Sequence, residues 1–351
     1  MALAELRIEN LRCIESAGLE FSPELNLISG ANGAGKTSVL EAIFLLGRGR
    51  SFRTRSSDKL IRHGKHSLVV FGRTDASLPQ TAGVEVTREG TRARINGGNA
   101  ESLLALSSVL PVQSIDPEIH KLIDHGPERR RRWLDWLVFH VEPTFGIHWS
   151  RYQRALKQRN AALKVKGADI GLWDAALIEH GQAMTLARGA AIERLEPYLQ
   201  KLFGRFAGLD VGLGFYAGWG QDHDLAEALR LSVDRDRERG TSTSGPHRAD
   251  IPLRLKGRSA RETASRGQQK LIAVAMIVSQ LQLLKAELGT QAVLLLDDPA
   301  AELDSANLAL LFEELAALEC QMIATSLSPE ITLFQAPKTM FHVEQGRVIR
   351  L

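Results

Sequence analysis

The chain is poor in cysteine and has no long hydrophobic run, and both shortages exclude classes of protein. Only two of its 351 residues are cysteine, Cys13 and Cys320, and they form no Cys-x-x-Cys pair. This scarcity argues against a disulfide framework or a structural zinc site and favours a reducing compartment. The longest apolar stretch, residues 271–278, is far shorter than the roughly 20 residues that a membrane span needs.

Aromatic residues make up only 6% of the chain, and the net charge is small. The formal charge of +3, from 44 basic and 41 acidic residues, does not by itself indicate a nucleic-acid partner. If DNA binds, the basic residues must be gathered on one face of the molecule. The first ten residues alternate like a strand and lack the features of a signal peptide. We therefore expect a soluble cytoplasmic protein without a membrane partner.

Strand and helix patterns alternate at both ends of the sequence, whereas the middle is helical. Apolar runs and alternation predict strands at 3–9, 25–29, 67–73, 83–88, 92–96, 109–114, 209–216, 250–255, 292–296 and 321–325. Helices are predicted at 36–47, 267–288 and 306–318, and residues 127–208 have almost no strand signal. The pattern predicts an α/β domain, residues 1–115 plus 240–351, split by a helical insertion at 116–239.

The strongest motif is a glycine-rich loop that follows a predicted strand and begins a predicted helix. Residues 30–37 fit the pattern G-x-x-x-x-G-K-[ST] without deviation. In such a loop the backbone N–H groups and the helix dipole bind phosphate oxygens, and Lys36 reaches the β- and γ-phosphates of ATP while the Thr37 hydroxyl binds Mg²⁺. The alternative is a structural turn that happens to contain Lys-Thr. The predicted ATP-binding segment consists of Gly30, Ala31, Asn32, Gly33, Ala34, Gly35, Lys36, Thr37 and Ser38.

A second apolar strand ends in two acidic residues, Asp297 and Asp298. Acids at the carboxyl end of a buried parallel strand lie where open α/β sheets bind ligands. We expect Asp297 to hold Mg²⁺ through water and Asp298 to polarise the attacking water, with Lys36 as the other catalytic residue. Taken alone, the pair could equally be solvent-facing acids in a turn before Pro299.

Residues 264–269 open another apolar helix, with Ser265 and Gly267 at its start. These two residues form a predicted helix cap and a second anion-binding site. One explanation for a second phosphate site is that it binds the γ-phosphate of ATP held by a partner subunit. The alternative is a simple helix cap. Leu303 and Asp304 follow the acidic strand end shortly afterwards.

In this order the phosphate loop, Ser-Arg-Gly-Gln, Asp-Asp and Leu-Asp resemble the ABC-type ATPases of chromosome maintenance. Residues 116–118 (Asp-Pro-Glu), 126–135 (beginning Gly-Pro) and 244–250 (Ser-Gly-Pro-His-Arg-Ala-Asp) resemble the RecF family, and the resemblance extends over essentially the whole chain. It implies an ABC-type ATPase head of mixed sheet and helices with a helical second lobe. It also implies a homodimer when ATP is bound, binding to duplex and gapped DNA, partnership with RecR and indirectly RecO, and RecA loading at single-strand gaps.

The resemblance also assigns roles to residues. Gln113 matches the residue that senses the γ-phosphate and Mg²⁺, Asp304 matches the contact across the dimer, and the signature consists of Ser265, Arg266, Gly267 and Gln268. Asp298 stands where most ABC enzymes have Glu, and because a shorter carboxylate lies farther from the water we expect slow turnover. Arg266 replaces the glycine usual in transporters. Pro299 departs from the aromatic residue typical of the family, and nothing in the sequence explains it.

Two other functions compete with the DNA-binding one. The engine of a membrane transporter would share the phosphate loop, but Lys36 and Asp297 lie much farther apart in sequence than in transport ATPases. A long-armed chromosome-organising protein would need a far longer insertion. The arginines at 129–132 are a candidate DNA patch or a partly structural run, with Trp133, Trp136 and Leu137 forming a buried face. His247 and Arg248 either order a loop or contact DNA.

Overall fold

Strands dominate the two ends of the chain and helices its middle. The structure, a computed structural model, describes residues 2–54, 56–299, 303–328 and 336–351. Its contacts divide the chain into two units, Met1–Ile119 with Met276–Leu351, and His120–Ala275. The second unit ends at Ala275, later in the sequence than residue 240, where the head was predicted to resume. The predicted domain boundaries themselves stay a prediction.

The strands are β1 (Ala2–Leu11), β2 (Ile14–Glu20), β3 (Leu25–Ser29), β4 (Ser67–Asp75), β5 (Thr81–Thr87), β6 (Thr91–Ile95), β7 (Gly98–Asn99), β8 (Val112–Ile115), β9 (Val211–Leu213), β10 (Leu253–Leu255), β11 (Arg258–Ser259), β12 (Val293–Leu296), β13 (Met322–Ser326), β14 (Thr339–Glu344) and β15 (Arg347–Arg350). The helices are α1 (Lys36–Arg48), α2 (Leu106–Val109), α3 (Lys121–Asp124), α4 (Pro127–Val141), α5 (Phe145–Ala162), α6 (Asp174–Ala207), α7 (Leu225–Leu231), α8 (Val233–Arg239), α9 (Ala260–Thr263), α10 (Arg266–Leu288) and α11 (Ser305–Leu318).

The first unit contains an antiparallel sheet with the order β2-β1-β4-β5-β6-β7. Its strands alternate buried and more exposed residues, as in β4, where Leu68 and Val70 are fully buried and their neighbours are not. This alternation is typical of a sheet with one face on the core. The predicted strands at 83–88 and 92–96 correspond to β5 and β6, which pair as an antiparallel hairpin, and its turn is closed by the hydrogen bond from Thr87 N–H to Gly90 O.

The second sheet of this unit has the order β15-β14-β3-β13-β12-β8 and is parallel except for β15 at its edge. Residues of β3, β12 and β13 are buried without alternation. That pattern is expected for central parallel strands, which are covered on both faces. The predicted strand at 109–114 is partly wrong, because residues 106–109 form the short helix α2 and the strand begins only at Val112.

Helix α1 packs on strands of both sheets, and the core of the first unit surrounds it. Nearly all of its residues from Lys36 to Gly47 are buried. A helix buried on all sides is held by its surroundings more firmly than a surface helix. The glycine-rich loop that precedes α1 is therefore fixed by the core.

The second unit is largely helical, as the sequence predicts, and has a small sheet of order β11-β10-β9. Helices α5 and α6 pack along each other, and α4 packs on α6. The spacing of Leu195, Leu199, Leu202 and Phe206 in the sequence predicts one apolar helix face, and all four are buried on α6. The predicted buried face of α4 is confirmed, since Trp133, Trp136 and Leu137 are buried.

Helix α10 is long and apolar enough to cross a membrane by length and composition alone. Two thirds (67%) of its most apolar window is nevertheless buried inside the structure, which is typical of a core helix. Within the described ranges it is the one helix that meets this criterion. The apolar stretch at 271–278, read from the sequence as too short for a span, thus lies within a longer buried helix.

Candidate functional site

The glycine-rich loop lies between β3 and α1, as its sequence predicts. Gly30, Gly33 and Gly35 adopt φ angles of 151°, 77° and 120°, which residues with a side chain rarely adopt. A Cβ at Gly30 would also lie 2.3 Å from the carbonyl oxygen of Val343. The backbone angles at these three positions, and the close packing at Gly30, therefore favour glycine. The loop leads directly into the N-terminus of α1.

Lys36 lies at the first position of α1 and folds back over the loop. Its Nζ donates hydrogen bonds to the carbonyl oxygens of Gly30 (2.6 Å) and Ala31 (3.0 Å). Burial lowers the pKa of Lys36, and the carboxylates of Asp298 and Asp297 oppose that shift. The ammonium group is thus close to both acids of β12 and to the phosphate loop. Of the predicted catalytic residues, Lys36 and Asp298 lie near each other.

Thr37, on α1, is hydrogen-bonded to Asp297, which directly follows β12. Its Oγ1 lies 3.0 Å from Asp297 Oδ1 and 3.1 Å from Oδ2. Because β3 and β12 are parallel strands of one sheet, their carboxyl ends meet at the same edge. The structure therefore brings together the two residues that the sequence predicts as the metal site.

Oxygen donors such as these suit Mg²⁺, which favours octahedral coordination at 2.0–2.1 Å. Within the described ranges, no group of three or more His, Cys, Asp or Glu residues is arranged to hold a metal ion by itself. The residues at this edge of the sheet fit a magnesium-bound nucleotide.

Asp298 follows directly, and its backbone turns away from the strand. It has a φ of 49°, in the left-handed region that aspartate and asparagine tolerate better than most residues. Its backbone N–H donates to Thr325 Oγ1 at 2.9 Å.

Thr325, on β13, is a site residue that the sequence analysis missed. Its Oγ1 donates to Asp297 Oδ1 at 2.8 Å and accepts the N–H of Asp298. A threonine in an apolar strand carries no distinctive pattern, so only the parallel pairing of β12 with β13 reveals it. Glu41 was missed as well. This fully buried residue of α1 is paired with Arg12, whose Nη2 lies 2.8 Å from Glu41 Oε1.

Gln113 lies on β8 opposite Leu294 of β12, well before the strand end that carries Asp297. Its amide group is buried, with Nε2 donating to Gln280 Oε1 at 2.6 Å and Oε1 accepting from Arg48 at 3.2 Å. These contacts do not bring Gln113 together with the Thr37–Asp297 pair. The role that the resemblance assigns to it stays a prediction.

The signature residues lie in the second unit and form the start of α10. Ser265 N–H donates to Gln268 Oε1 (2.9 Å), and Gln268 N–H donates to Ser265 Oγ (3.3 Å), a reciprocal helix cap. Arg266 is ion-paired with Asp124 at 2.9 Å. Gly267 is exposed, and a Cβ there would meet no atom closer than 4.0 Å. The fold of this chain alone therefore does not require glycine at 267.

Asp304 is the N-cap of α11. Its carboxylate accepts hydrogen bonds from the backbone N–H of Asn307 (3.0 Å) and from the Asn307 side chain (2.6 Å). The backbone hydrogen bond from Asn307 is the main cause that lowers the pKa of Asp304. The side chain is exposed, so it can also contact another molecule. The contact across the dimer stays a prediction.

Two runs that were singled out separately in the sequence, 126–135 and 244–250, contact each other in the second unit. Arg130 forms a two-point pair with Asp250, with distances of 2.7 and 3.1 Å, and Arg131 donates to Ala249 O at 2.6 Å. Arg132 is ion-paired with Glu128 one turn away. The expectation that part of the arginine run is structural is confirmed.

His247 is held inside the same unit. Its Nε2 lies 3.0 Å from Ser242 O and its Nδ1 lies 2.7 Å from Tyr152 OH. Because a carbonyl only accepts, Nε2 carries the proton and Nδ1 accepts the tyrosine hydroxyl. Burial lowers the pKa of His247 to about 4. Arg248 donates to the same Ser242 carbonyl, so both residues order the loop at 242–248.

The family model and the known proteins that match this chain in sequence agree with one another. Residues 2–348 match the family model described as the RecF/RecN/SMC N terminal domain. The chain is 38% identical to the DNA replication and repair protein RecF of Shewanella baltica, covering 99% of both chains. It is 40% identical to the protein of the same name from Thioalkalivibrio sulfidiphilus, covering 99% of this chain and 98% of that one.

Solved structures agree with this result. The structure of the recombination mediator protein RecF–ATP in the RecFOR pathway superposes with a TM-score of 0.89 at 26% identity, covering 100% of this chain and 97% of the other. An Smc head bound to a ScpA domain has a TM-score of 0.60 at 15% identity, covering 100% and 98% of the two chains, a likeness of fold alone. The predicted fold class, an ABC-type ATPase head with an inserted helical lobe, is confirmed. The chain belongs to the RecF family.

Proposed function

We propose that this chain is a cytoplasmic, ATP-dependent DNA-binding protein of recombinational repair. In this proposal it dimerises when ATP and Mg²⁺ are bound, binds duplex and gapped DNA and hydrolyses ATP slowly, as a weak DNA-dependent ATPase. With RecR and RecO it promotes RecA loading at single-strand gaps, and it serves DNA replication and the SOS response. The observation that carries the proposal is the Thr37–Asp297 contact beside the glycine-rich loop, in a chain of the RecF family.

The chemistry follows from the positions of four side chains. Mg²⁺, when bound, neutralises charge on the β- and γ-phosphates. The Thr37 hydroxyl would bind the ion directly and the Asp297 carboxylate would hold it through water, and Lys36 supplies the positive charge that contacts the phosphates. Asp298 accepts hydrogen bonds from the attacking water and orients it. With aspartate rather than glutamate at this position the carboxylate lies farther from the water, which favours slow hydrolysis and a long-lived ATP state.

The signature completes the site of a partner copy in this proposal. Ser265 and Gly267 are exposed at the start of α10, where backbone N–H groups favour an anion. The open space around Gly267 supports a close approach of the γ-phosphate held by the other subunit. Asp304 contacts the partner beside it. In the ATP-bound state Gln113 exchanges its contact with Gln280 for one with the γ-phosphate and Mg²⁺.

Duplex DNA binding with and without ATP, measured across a salt series, tests the proposal. The expected result is nucleotide-dependent binding that weakens steeply with salt as counterions are released. Lys36→Ala and Lys36→Arg should impair this dependence. Binding that depends on neither nucleotide nor salt would contradict the proposal. It would leave the transporter alternative, which the family assignment does not favour.

The mass of the protein in solution tests the shared site. With a non-hydrolysable ATP analogue and DNA the wild type should be a dimer, whereas Ser265→Arg should remain a monomer that still binds ATP. Because Ser265 immediately precedes α10 and the phosphate loop precedes α1, loss of ATP binding in this variant would argue against a role in trans. A wild-type monomer under saturating conditions would exclude the dimer.

A further inference from the structure

One face of the second unit carries a row of basic side chains. Residues 143–168, which include all of α5, contain no aspartate or glutamate. The exposed residues of this segment include Arg151, Arg154, Lys157 and Lys164. They recur every three residues within α5, and the fourth follows just beyond its end. We call these four residues the basic row.

Helical geometry places the basic row on one side of α5. At 100° per residue, Arg151, Arg154 and Lys157 fall within an arc of about 120°. The opposite side of the helix is buried, with Tyr152 and Arg159 almost inaccessible. From Arg151 to Lys157 the row extends for about 9 Å along the helix at 1.5 Å per residue. Lys164 follows two residues after the last residue of α5.

The acidic residues near α5 do not neutralise the basic row. Asp174 and Asp236 both pair with the buried Arg159, at 2.9 and 2.7 Å, on the inner side of the helix. Glu179 of α6, which is exposed, lies 3.5 Å from His180. Within the part of the chain that the structure describes, the four basic side chains form no ion pair.

We propose that the basic row binds the phosphate backbone of duplex DNA. This inference rests on the proposed DNA-binding function and adds the surface that performs it. A protein partner would be expected to meet apolar or aromatic residues at the centre of its interface, where lysine is depleted. The row instead presents arginine and lysine, with Gln158 exposed beside them, and these are side chains that contact phosphate oxygens. The exposed apolar residues of this segment, Ile147 and Val165, lie before and after the row rather than at its centre. Although the net charge is only +3, the row gathers positive charge on one face.

The test is the salt dependence of binding to two duplexes of unrelated sequence, with ATP, for wild type and for Arg154→Gln with Lys157→Gln. Each lost phosphate contact lowers the salt slope by about 1, so the double variant should lose about 2. At about 0.1 M salt its affinity should fall roughly 10- to 100-fold for both duplexes alike. Its ATP binding without DNA should be unchanged.

The matched control is Lys201→Gln with Arg258→Gln, which removes the same charge from exposed positions of the same unit outside α5. This variant should keep the wild-type slope within about 0.5. Equal losses in both variants would overturn the inference, because net charge alone would then explain them. An unchanged slope in the α5 variant would overturn it as well, while nucleotide-dependent binding by wild type would leave the proposed function intact.

A gain-of-binding variant excludes misfolding as the explanation. Gln158→Lys adds a cation beside Arg154 and should increase the salt slope by about 1 and tighten binding. Unaltered or weaker binding by this variant would contradict the inference. If wild type itself does not bind duplex DNA, both the proposed function and the inference that rests on it are wrong.

Discussion

Thr325 on β13 and Asp297, which directly follows β12, are joined by a hydrogen bond of 2.8 Å between Oγ1 and Oδ1. The same hydroxyl accepts the N–H of Asp298 at 2.9 Å. A single side chain on β13 thus fixes the carboxylate that faces Thr37 and the start of the turn that places Asp298. Thr325 is a positioning residue of the proposed ATPase site.

Thr325→Val should slow ATP hydrolysis with little loss of ATP binding. Valine keeps the shape but leaves the Asp297 carboxylate and the Asp298 N–H without this partner, and misplacement of reacting groups by about 1 Å can cost about 100-fold. We expect a 10- to 100-fold lower hydrolysis rate and a higher Mg²⁺ requirement. Thr325→Ser keeps the hydroxyl and should restore most of the rate. Equal rates for the valine and serine variants would contradict the positioning role.

Asp298→Asn should abolish hydrolysis yet preserve ATP-dependent dimers. Asparagine tolerates the left-handed backbone observed at 298, so the turn is retained while the base is lost. A general base contributes about 10²- to 10⁴-fold, and the single-turnover rate should fall by that amount. Dimer mass should match wild type with ATP. Normal hydrolysis by this variant would refute the assigned role.

Arg130→Met should destabilise the second unit substantially. Arg130 is 9% exposed, contacts Asp250 twice and donates to the carbonyl oxygens of Leu122, Ile123 and His125. Removing one partner of a buried pair costs about 3–5 kcal/mol, and because Asp250 is 26% exposed we expect the lower part of that range. The midpoint of urea unfolding measures the loss.

Arg132→Met is the matched control for that experiment. Arg132 and Glu128 are 41% and 48% exposed, and exposed pairs one helical turn apart contribute only about 0.3–0.5 kcal/mol. The unfolding midpoint should therefore change little. A loss as large as that of Arg130→Met would show that the arginine run stabilises the fold through a property other than burial.

His247 should make the second unit less stable in acid. Burial lowers its pKa to about 4 in the folded state, whereas the unfolded value is near 6.5. Between these pH values the unfolded chain binds more protons, so the free energy of unfolding falls as pH decreases from about 6.5 to about 4. The full effect corresponds to about 3 kcal/mol.

A comparison with His247→Gln isolates this contribution from that of the carboxylates. Glutamine can hydrogen-bond to Ser242 and Tyr152 without titrating, so the variant should lack the fall in stability that protonation of His247 causes in wild type. The stability of wild type relative to the variant should therefore decrease as the pH falls from about 6.5 to about 4, as measured by urea unfolding at each pH. A constant difference between them over this range would exclude His247 as the titrating group.

Much of the fold was predictable because its signals are local. The strand before Gly30, the helix after it and the buried strand before Asp297 all follow from short apolar runs with clear ends. The pairing of these strands, β3 with β13 and β13 with β12, joins residues far apart in sequence. Local patterns do not encode that order. For this reason Thr325 was missed, whereas Lys36, Thr37 and Asp297 could be predicted as site residues from their own short motifs.

The arginine run shows a different limit. Helical rotation predicts that four consecutive arginines cannot share one partner, but not which of them is buried. Arg130 pairs with Asp250, a residue 120 positions later, so its role depends on tertiary structure. The exposed basic row of α5 was likewise inconspicuous in sequence, because its members are separated by uncharged residues and meet only on the folded helix.

The backbone conformation at Asp298 affects how far a substitution there can raise the rate of ATP hydrolysis. Lengthening that side chain to glutamate is the obvious route to a quicker ATPase, yet a left-handed conformation disfavours most side chains by about 1–2 kcal/mol, and aspartate is among the residues that escape this penalty through local hydrogen bonds. Asp298→Glu would thus gain reach and lose conformational fit at the same residue. The slow turnover that we propose is therefore favoured by main-chain geometry as well as by side-chain length, and a faster variant would need the neighbouring turn redesigned together with the acid.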